Sequence, residues 1–167
     1  MLYLPNIFQE IVGKVNEVTA AKTQPFSVFF EYGLFQDVSK KVYAAGQTNY
    51  PLVWLMMPYD ERPTMIGTDV SCTLIIAMPT DVNYSMAQRE NINFFPRLFP
   101  IYEELLIQIS RSRKLMNTRL EMIEHTKRVL PYWGGDEGGN NTANFSKHYV
   151  DAVQIRDLKI SVRKQYC

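Results

Sequence analysis

The residues whose type and spacing could do chemistry are few. The two histidines, His125 and His148, lie far apart, and neither shares a helical i, i+4 pair or a Cys-x-x-Cys with another ligand. Zinc sites gather three or four such ligands, so no metal site is expected. Of the two cysteines, Cys167 ends the chain and Cys72 sits in an apolar run. That spacing makes no disulfide framework. A nucleophilic thiol needs exposure and an activating neighbour. Val70, Leu74 and Ile76 share the side of Cys72 along an extended segment, so Cys72 reads as a small core residue. The carboxylate pairs Asp60/Glu61 and Glu103/Glu104 would need partners that the sequence does not supply. No Gly-x-x-x-x-Gly-Lys loop, Gly-x-Gly-x-x-Gly turn or Gly-x-Ser-x-Gly elbow occurs. The expectation is a chain with no catalytic residues, no cofactor, no metal and no small-molecule substrate. The rival expectation is a small cytoplasmic α+β enzyme or nucleotide-binding domain with an acidic site at Asp136 and Glu137, in Gly134-Gly135-Asp136-Glu137-Gly138. Two basic groups could meet phosphates: Arg111, Arg113, Lys114 and Arg119, then Lys159, Arg163 and Lys164. Basic residues also suit helix C-termini and exposed strands.

The elements that must position these residues follow from periodicity. Ile7, Phe8, Ile11, Val12, Val15 and Val18 recur at helical spacing and predict a helix from about Pro5 to Ala21. Phe26 to Tyr32 and Tyr50 to Met57 are rich in aromatic and β-branched residues and predict strands. Between them, Gln36 to Asn49 is polar, with room for a short hairpin through Val42 and Tyr43. Pro58 to Thr68 reads as a solvated loop. The stretch Asp69 to Met78 alternates at first and is then apolar throughout, as a strand does when one end is half exposed and the other is covered on both faces. Ser85-Met86-Ala87-Gln88 is a capping box. The stripe Ile92, Phe95, Phe99, Tyr102, Leu106 and Ile109 follows it, and Pro96 and Pro100 predict a break or kink between Phe95 and Ile101. Leu120, Met122 and Val129 fit a strand, and 131–147 reads as a flexible Gly/Asn-rich loop. In the last segment Val153 and Ile155 share one phase while Leu158, Ile160 and Val162 share the other. Such a slip at Arg156-Asp157 is the mark of a β-bulge.

This order gives one α+β domain over 1–167, an antiparallel sheet of about four to five strands with two helices on one face. The chain has 167 residues, a net charge of +1, 46% hydrophobic and 21% charged residues, all globular values. Near-zero charge excludes a protein whose whole surface grips nucleic acid, though a local basic patch is compatible with it. No apolar run approaches the length of a membrane span, and Met1 to Pro5 shows no basic signal-peptide start, so synthesis in a cytoplasm and no membrane partner are expected. Aromatics reach 13%, with 8 methionines beside them. Phe8, Phe29, Trp54, Phe95, Phe99 and Tyr102 fall on periodic apolar faces and are assigned to the core. Tyr59, Tyr132, Trp133 and Phe145 sit in Gly-, Pro- or Asn-rich stretches and are the candidate assembly contacts.

Two resemblances accompany these readings. Gly134-Gly135-Asp136-Glu137 resembles the core motif of diguanylate cyclases. Those enzymes carry it on a tight hairpin, with a metal-binding Asp on an earlier strand and more domain after it. Here it lies in a Gly- and Asn-rich stretch near the end of the chain, which favours a solvated loop. The order of elements, above all Cys72-Thr73-Leu74-Ile75-Ile76-Ala77-Met78-Pro79 followed by a capped helix, resembles the tail-terminator and head–tail connector ring proteins of tailed bacteriophages. Tyr50-Pro51-Leu52-Val53-Trp54-Leu55-Met56 and Pro131-Tyr132-Trp133-Gly134-Gly135 are similar in style to structural proteins of the crAss-like gut phages. The resemblance implies a virion protein: a subunit of a homo-oligomeric ring at the neck or tail. Its partners would be other neck, tail or portal proteins, and DNA would at most pass through the central channel.

Overall fold

A computed structural model describes residues 3–38, 49–81, 83–116, 119–133 and 150–166. Helix α1, Leu4–Ala20, opens with Pro5 in its first turn and buries Ile7, Phe8, Ile11, Val12 and Val15 on one side. Six strands follow in one sheet: β1 Phe29–Gly33, β2 Leu52–Met56, β3 Asp60–Pro63, β4 Gly67–Pro79, β5 Thr126–Trp133 and β6 Val150–Arg163. The spatial order is β1-β2-β4-β6-β5, with β3 beside the first half of β4. The sheet is mixed rather than antiparallel, because β1 and β2 run parallel, and it has more strands than the sequence led us to expect. Both differences come from short polar segments. The stretch expected as a loop at Pro58 to Thr68 is a hairpin, with β3 paired to β4 through Asp60↔Ser71 and Arg62↔Asp69. All four residues of β3 are exposed, so no apolar alternation marks them as a strand. The polar stretch from Gln36 opens in a helical turn at 35–38; the short hairpin expected through Val42 and Tyr43 lies outside the described residues, which omit 39–48.

β4 and β6 form the spine. Their ladder runs from Gly67↔Arg163 to Pro79↔Val150 and shifts register between Cys72 and Leu74. Ile155 and Leu158 of β6 face Leu74 and Cys72, so two residues of β6, Arg156 and Asp157, oppose the single Thr73. Asp157 takes φ 51. This is the bulge expected from the phase slip, and it returns the apolar residues of both halves to one face. That face carries Val53, Leu55, Val70, Cys72, Leu74, Ile76, Val153, Ile155, Leu158 and Ile160, under α1 and the second helical run.

The second run departs from expectation. It is unbroken from Met86 to Arg111: α2 Met86–Arg89, a π-helical stretch Glu90–Leu98, then α3 Phe99–Arg111. Ser85 and Gln88 form the predicted capping box at its start. Pro96 lacks the N–H that an α-helix would aim at Ile92, and its ring would crowd that carbonyl. The wider turn relieves the conflict, and Phe99 N–H bonds the carbonyl of Phe94, five residues back. The buried stripe is therefore Phe94, Leu98, Ile101, Leu105 and Ile109. Phe95, assigned to the core by spacing, and Ile92 of the same stripe are 57% and 46% exposed, while Phe99 and Tyr102 are partly buried against the core. Phe29 is also exposed, at a sheet edge, while Phe8 and Trp54 are buried as expected. Leu120–Met122 is a 3-10 turn instead of a strand, and β5 extends through Trp133. The loop expected from 131 therefore starts no earlier than 134, and 134–149 lies outside the described residues.

Candidate functional site

The sheet face opposite the helices carries a second cluster over the Trp133 end only. Leu52, Trp54, Ile75, Ala77, Val150 and Ala152 are buried there, with Phe35 and Trp133 packed against them. Phe35 stacks on Trp54 at 5.3 Å, and Trp133 meets Phe35 edge-on at 5.3 Å and Trp54 at 6.3 Å. Trp54 Nε1 donates to the carbonyl of Gly33 at 3.2 Å. Over the other half of the sheet the same face is polar. Asp60, Arg62, Asp69, Ser71, Glu124, Lys159 and Ser161 border a groove of about 550 Å³. Ser161 Oγ donates to Asp69 at 2.6 Å and Lys159 Nζ to Glu124 at 2.7 Å. That bond holds the Glu124 carboxyl below its usual range and raises the Lys159 ammonium above its own.

The candidate assembly contacts fall in different places. Tyr59 is half-buried against the helix-side core, and burial, then Glu61, pushes its phenol up to about 12. Trp133 belongs to β5 and the aromatic cluster rather than to a loop. The Tyr132 side chain and Phe145 lie outside the described residues, as do Asp136 and Glu137. The structure thus brings Trp133 to Trp54 but leaves Tyr59 on the opposite face.

Two groups of residues escape the sequence reading. The first is a buried polar network where β4 ends, α2 begins and β6 starts. Arg89, Asn93 and Asp151 are 5%, 1% and 0% exposed. Arg89 Nη1 donates to Asp151 at 3.0 Å and to Thr80 Oγ1 at 2.7 Å, and Nη2 to the Asp81 carbonyl at 2.9 Å. Asn93 Nδ2 donates to the second Asp151 oxygen at 2.7 Å and to the Pro79 carbonyl at 3.0 Å. A carboxylate and a guanidinium this well satisfied fix geometry; they leave no group poised to react. Arg89 and Asn93, four apart on a helix, offered a faint signal, but Asp151 lies far along the chain.

The second group is the outer side of the π-helical stretch. Ile92 and Phe95 are exposed, Phe95 touches Phe99 edge-on at 5.8 Å, and Lys127 of β5 lies 4.3 Å from the Phe99 ring and 4.1 Å from that of Tyr102. His125 Nδ1–H donates to the Ile123 carbonyl at 2.8 Å, which leaves Nε2 to accept the Tyr102 hydroxyl at 2.7 Å. Burial raises the Tyr102 phenol above its ordinary value. Val129 of β5, 44% exposed, continues this surface on the helix side of the sheet. Among the described residues β1 and β5 each have a strand neighbour on one side only.

Cys72 is buried, and that burial pushes its thiol up to about 12, the reverse of nucleophile activation. Among the described residues no three His, Cys, Asp or Glu side chains converge as metal ligands. No described helix is long and apolar enough to cross a membrane. Comparison with protein-family models, with curated proteins and with solved structures gave no match.

Proposed function

We propose that this chain is a non-enzymatic structural subunit of a phage virion, assembling head to tail into a ring at the neck or tail, as a tail terminator or connector does. One observation carries the reading. On the stripe Ile92, Phe95, Phe99 and Tyr102, Ile92 and Phe95 are exposed while Phe99 and Tyr102 are partly buried against the core, beside β5, which among the described residues has a strand partner on one side only. β1, at the far edge of the same sheet, presents Phe29 and Tyr32, 36% and 46% exposed. A protein rarely leaves strand edges bordered by large apolar side chains unless another chain covers them. Two unlike edges at opposite ends of a sheet suit a heterologous contact, and such contacts close into rings when the rotation allows.

Mass photometry and light scattering over a range of concentration test this, alone and with co-expressed neighbouring virion proteins. A ring is expected, and Phe95→Glu or Val129→Glu should leave a folded monomer. Phe95→Ala should cost assembly more than about 2 kcal/mol per contact, as central interface aromatics do. A strictly monomeric chain that binds a nucleotide tightly refutes the proposal and favours the enzymatic alternative.

A further inference from the structure

Arg111, Arg113 and Lys114 of the first basic group and Arg163 and Lys164 of the second, well separated in sequence, meet at the end of the sheet remote from Trp133. The segment after α3 runs beside the end of β6: Met116 N–H bonds the Ser161 carbonyl at 2.8 Å, Arg163 N–H bonds that of Lys114 at 3.0 Å, and Leu115 bridges Val162. This sets Arg111, Arg113 and Lys114 beside Arg163 and Lys164. The turn joining β3 to β4 abuts them, since Lys164 N–H bonds the Ile66 carbonyl at 3.1 Å. Thr64 pins that turn, its hydroxyl bonding the Gly67 carbonyl at 3.0 Å and accepting from Gly67 N–H at 3.1 Å. The turn's apex holds Met65 and Ile66, 92% and 69% exposed. Between apex and cations lies a groove of about 520 Å³ lined by Ile66, Met116, Arg163, Lys164 and Gln165.

We propose that this end binds the backbone of a nucleic-acid duplex, with the Met65-Ile66 apex pressed into a groove. Lys114 is paired with Glu10, and Arg163 Nε donates to the Leu115 carbonyl at 3.2 Å. Arg111, Arg113 and Lys164 make no ion pair among the described residues. Positive charge gathered at one end of a chain of net charge +1 calls for an anionic partner. A β-hairpin fits a groove of a duplex, and proteins that enter the minor groove carry Met, Ile or Pro wedges flanked by Arg and Lys. Here Met65 and Ile66 sit at the apex, Pro63 ends β3 beside them, and the cations form the collar. Asp60, Glu61 and Asp69 lie further from the apex along β3 and β4. The surface is separate from both sheet edges, so it stands or falls apart from ring assembly.

Fluorescence anisotropy of the full chain with a labelled 24-base-pair DNA duplex tests it. Binding at 50 mM NaCl should weaken roughly 100-fold by 200 mM, the counterion-release slope for about four phosphates. Lys164→Glu should weaken binding several-fold more than Lys22→Glu, the same charge change at the other end of the molecule. Arg113→Glu with Lys164→Glu should flatten the salt slope by about two phosphates' worth. Met65→Ser with Ile66→Ser should lower affinity several-fold at an unchanged slope. All these residues are exposed, so urea midpoints should match wild type. No binding at 50 mM salt overturns the proposal, as does equal weakening by Lys164→Glu and Lys22→Glu. Apex-dependent sedimentation with vesicles of 30% phosphatidylserine, without duplex binding, overturns it in favour of a bilayer surface.

Discussion

Replacing Arg89 with Met is the sharpest test of what holds the domain together. The change keeps the length of the stem and removes the guanidinium, so Asp151, 0% exposed, keeps the Asn93 amide at 2.7 Å but loses its cation. Thr80 Oγ1 and the Asp81 carbonyl lose donors at 2.7 and 2.9 Å. Breaking one side of a buried ion pair typically costs about 3–5 kcal/mol, chiefly because the remaining charge is stranded away from water. Domains of this size usually hold about 5–15 kcal/mol in all, so the loss would be a large share. At roughly 2–4 °C per kcal/mol it corresponds to a drop in Tm of roughly 6–20 °C. Urea unfolding should show the midpoint falling with the slope unchanged. Arg89→Met with Asp151→Leu supplies the control. If the penalty is the stranded charge, the double variant should be more stable than Arg89→Met alone, a coupling of about 1–3 kcal/mol. A loss below about 1 kcal/mol for Arg89→Met, or additive losses in the double variant, would show that the carboxylate is solvated in the folded chain and refute the reasoning.

Gly67→Ala should destabilise by several kcal/mol in the same assay, because a Cβ there would meet the Val162 carbonyl oxygen at 2.0 Å and β4 would have to part from β6. Trp133→Ala should cost about 2 kcal/mol of folding stability rather than only assembly energy, since it removes edge-on contacts with Phe35 and Trp54 from a half-buried ring. Raising pH should weaken the fold from about pH 9 upward. Cys72 and Tyr59 keep their protons in the folded chain to about 12, whereas the unfolded chain releases them near 9 and 10, so the urea midpoint falls across that window. Cys72→Ala should flatten the lower part of the fall, and a midpoint that rose instead would reverse the sign. In Cys167→Ser protein at pH 8, a thiol reagent should modify Cys72 only as fast as the chain unfolds.

The parts of the fold legible in sequence were those whose period has one reading. In β4, Asp69 to Thr73 alternate and Leu74 to Ala77 are wholly apolar, and the structure buries every residue of the second part and alternate residues of the first. The slip at Asp157 forecast the bulge because a one-residue insertion must reverse facing unless the backbone bends. The second helical run was misread because it is apolar on two sides: Phe94, Leu98, Ile101, Leu105 and Ile92, Phe95, Phe99, Tyr102 both recur at helical spacing. Only tertiary packing selects the first set; of the second, Ile92 and Phe95 are left exposed and Phe99 and Tyr102 are partly buried against the core. β3 was invisible because a short, fully exposed strand has no burial to encode. The parallel pairing of β1 with β2 depends on where residues 34–51 carry the chain, which no local period records. The Arg89–Asp151 pair was likewise beyond local reading, since its partners are joined only by the β4–β6 ladder.

The proposed contacts divide along the same axis as the sheet. Toward Trp133 both faces are covered, by the helices on one side and by the Phe35, Trp54 and Trp133 cluster on the other. A half built this way is rigid, and the buried Arg89–Asp151 pair ties its strands to the helix that carries the outward aromatic stripe. Toward Gly67 the second face is polar and open, and the sheet ends in the β3–β4 turn with bare apolar side chains and gathered cations. Edge contacts between subunits require a fixed relation of strand edge to helix flank, which the double-covered half provides. Contact with a ligand of variable sequence requires only an exposed apex and charge, which the other half provides. Phe95→Glu and Lys164→Glu should therefore separate cleanly: the first should abolish assembly and leave duplex binding by the monomer, and the second should weaken duplex binding several-fold and leave assembly. If either variant lost both properties, the two surfaces would be one.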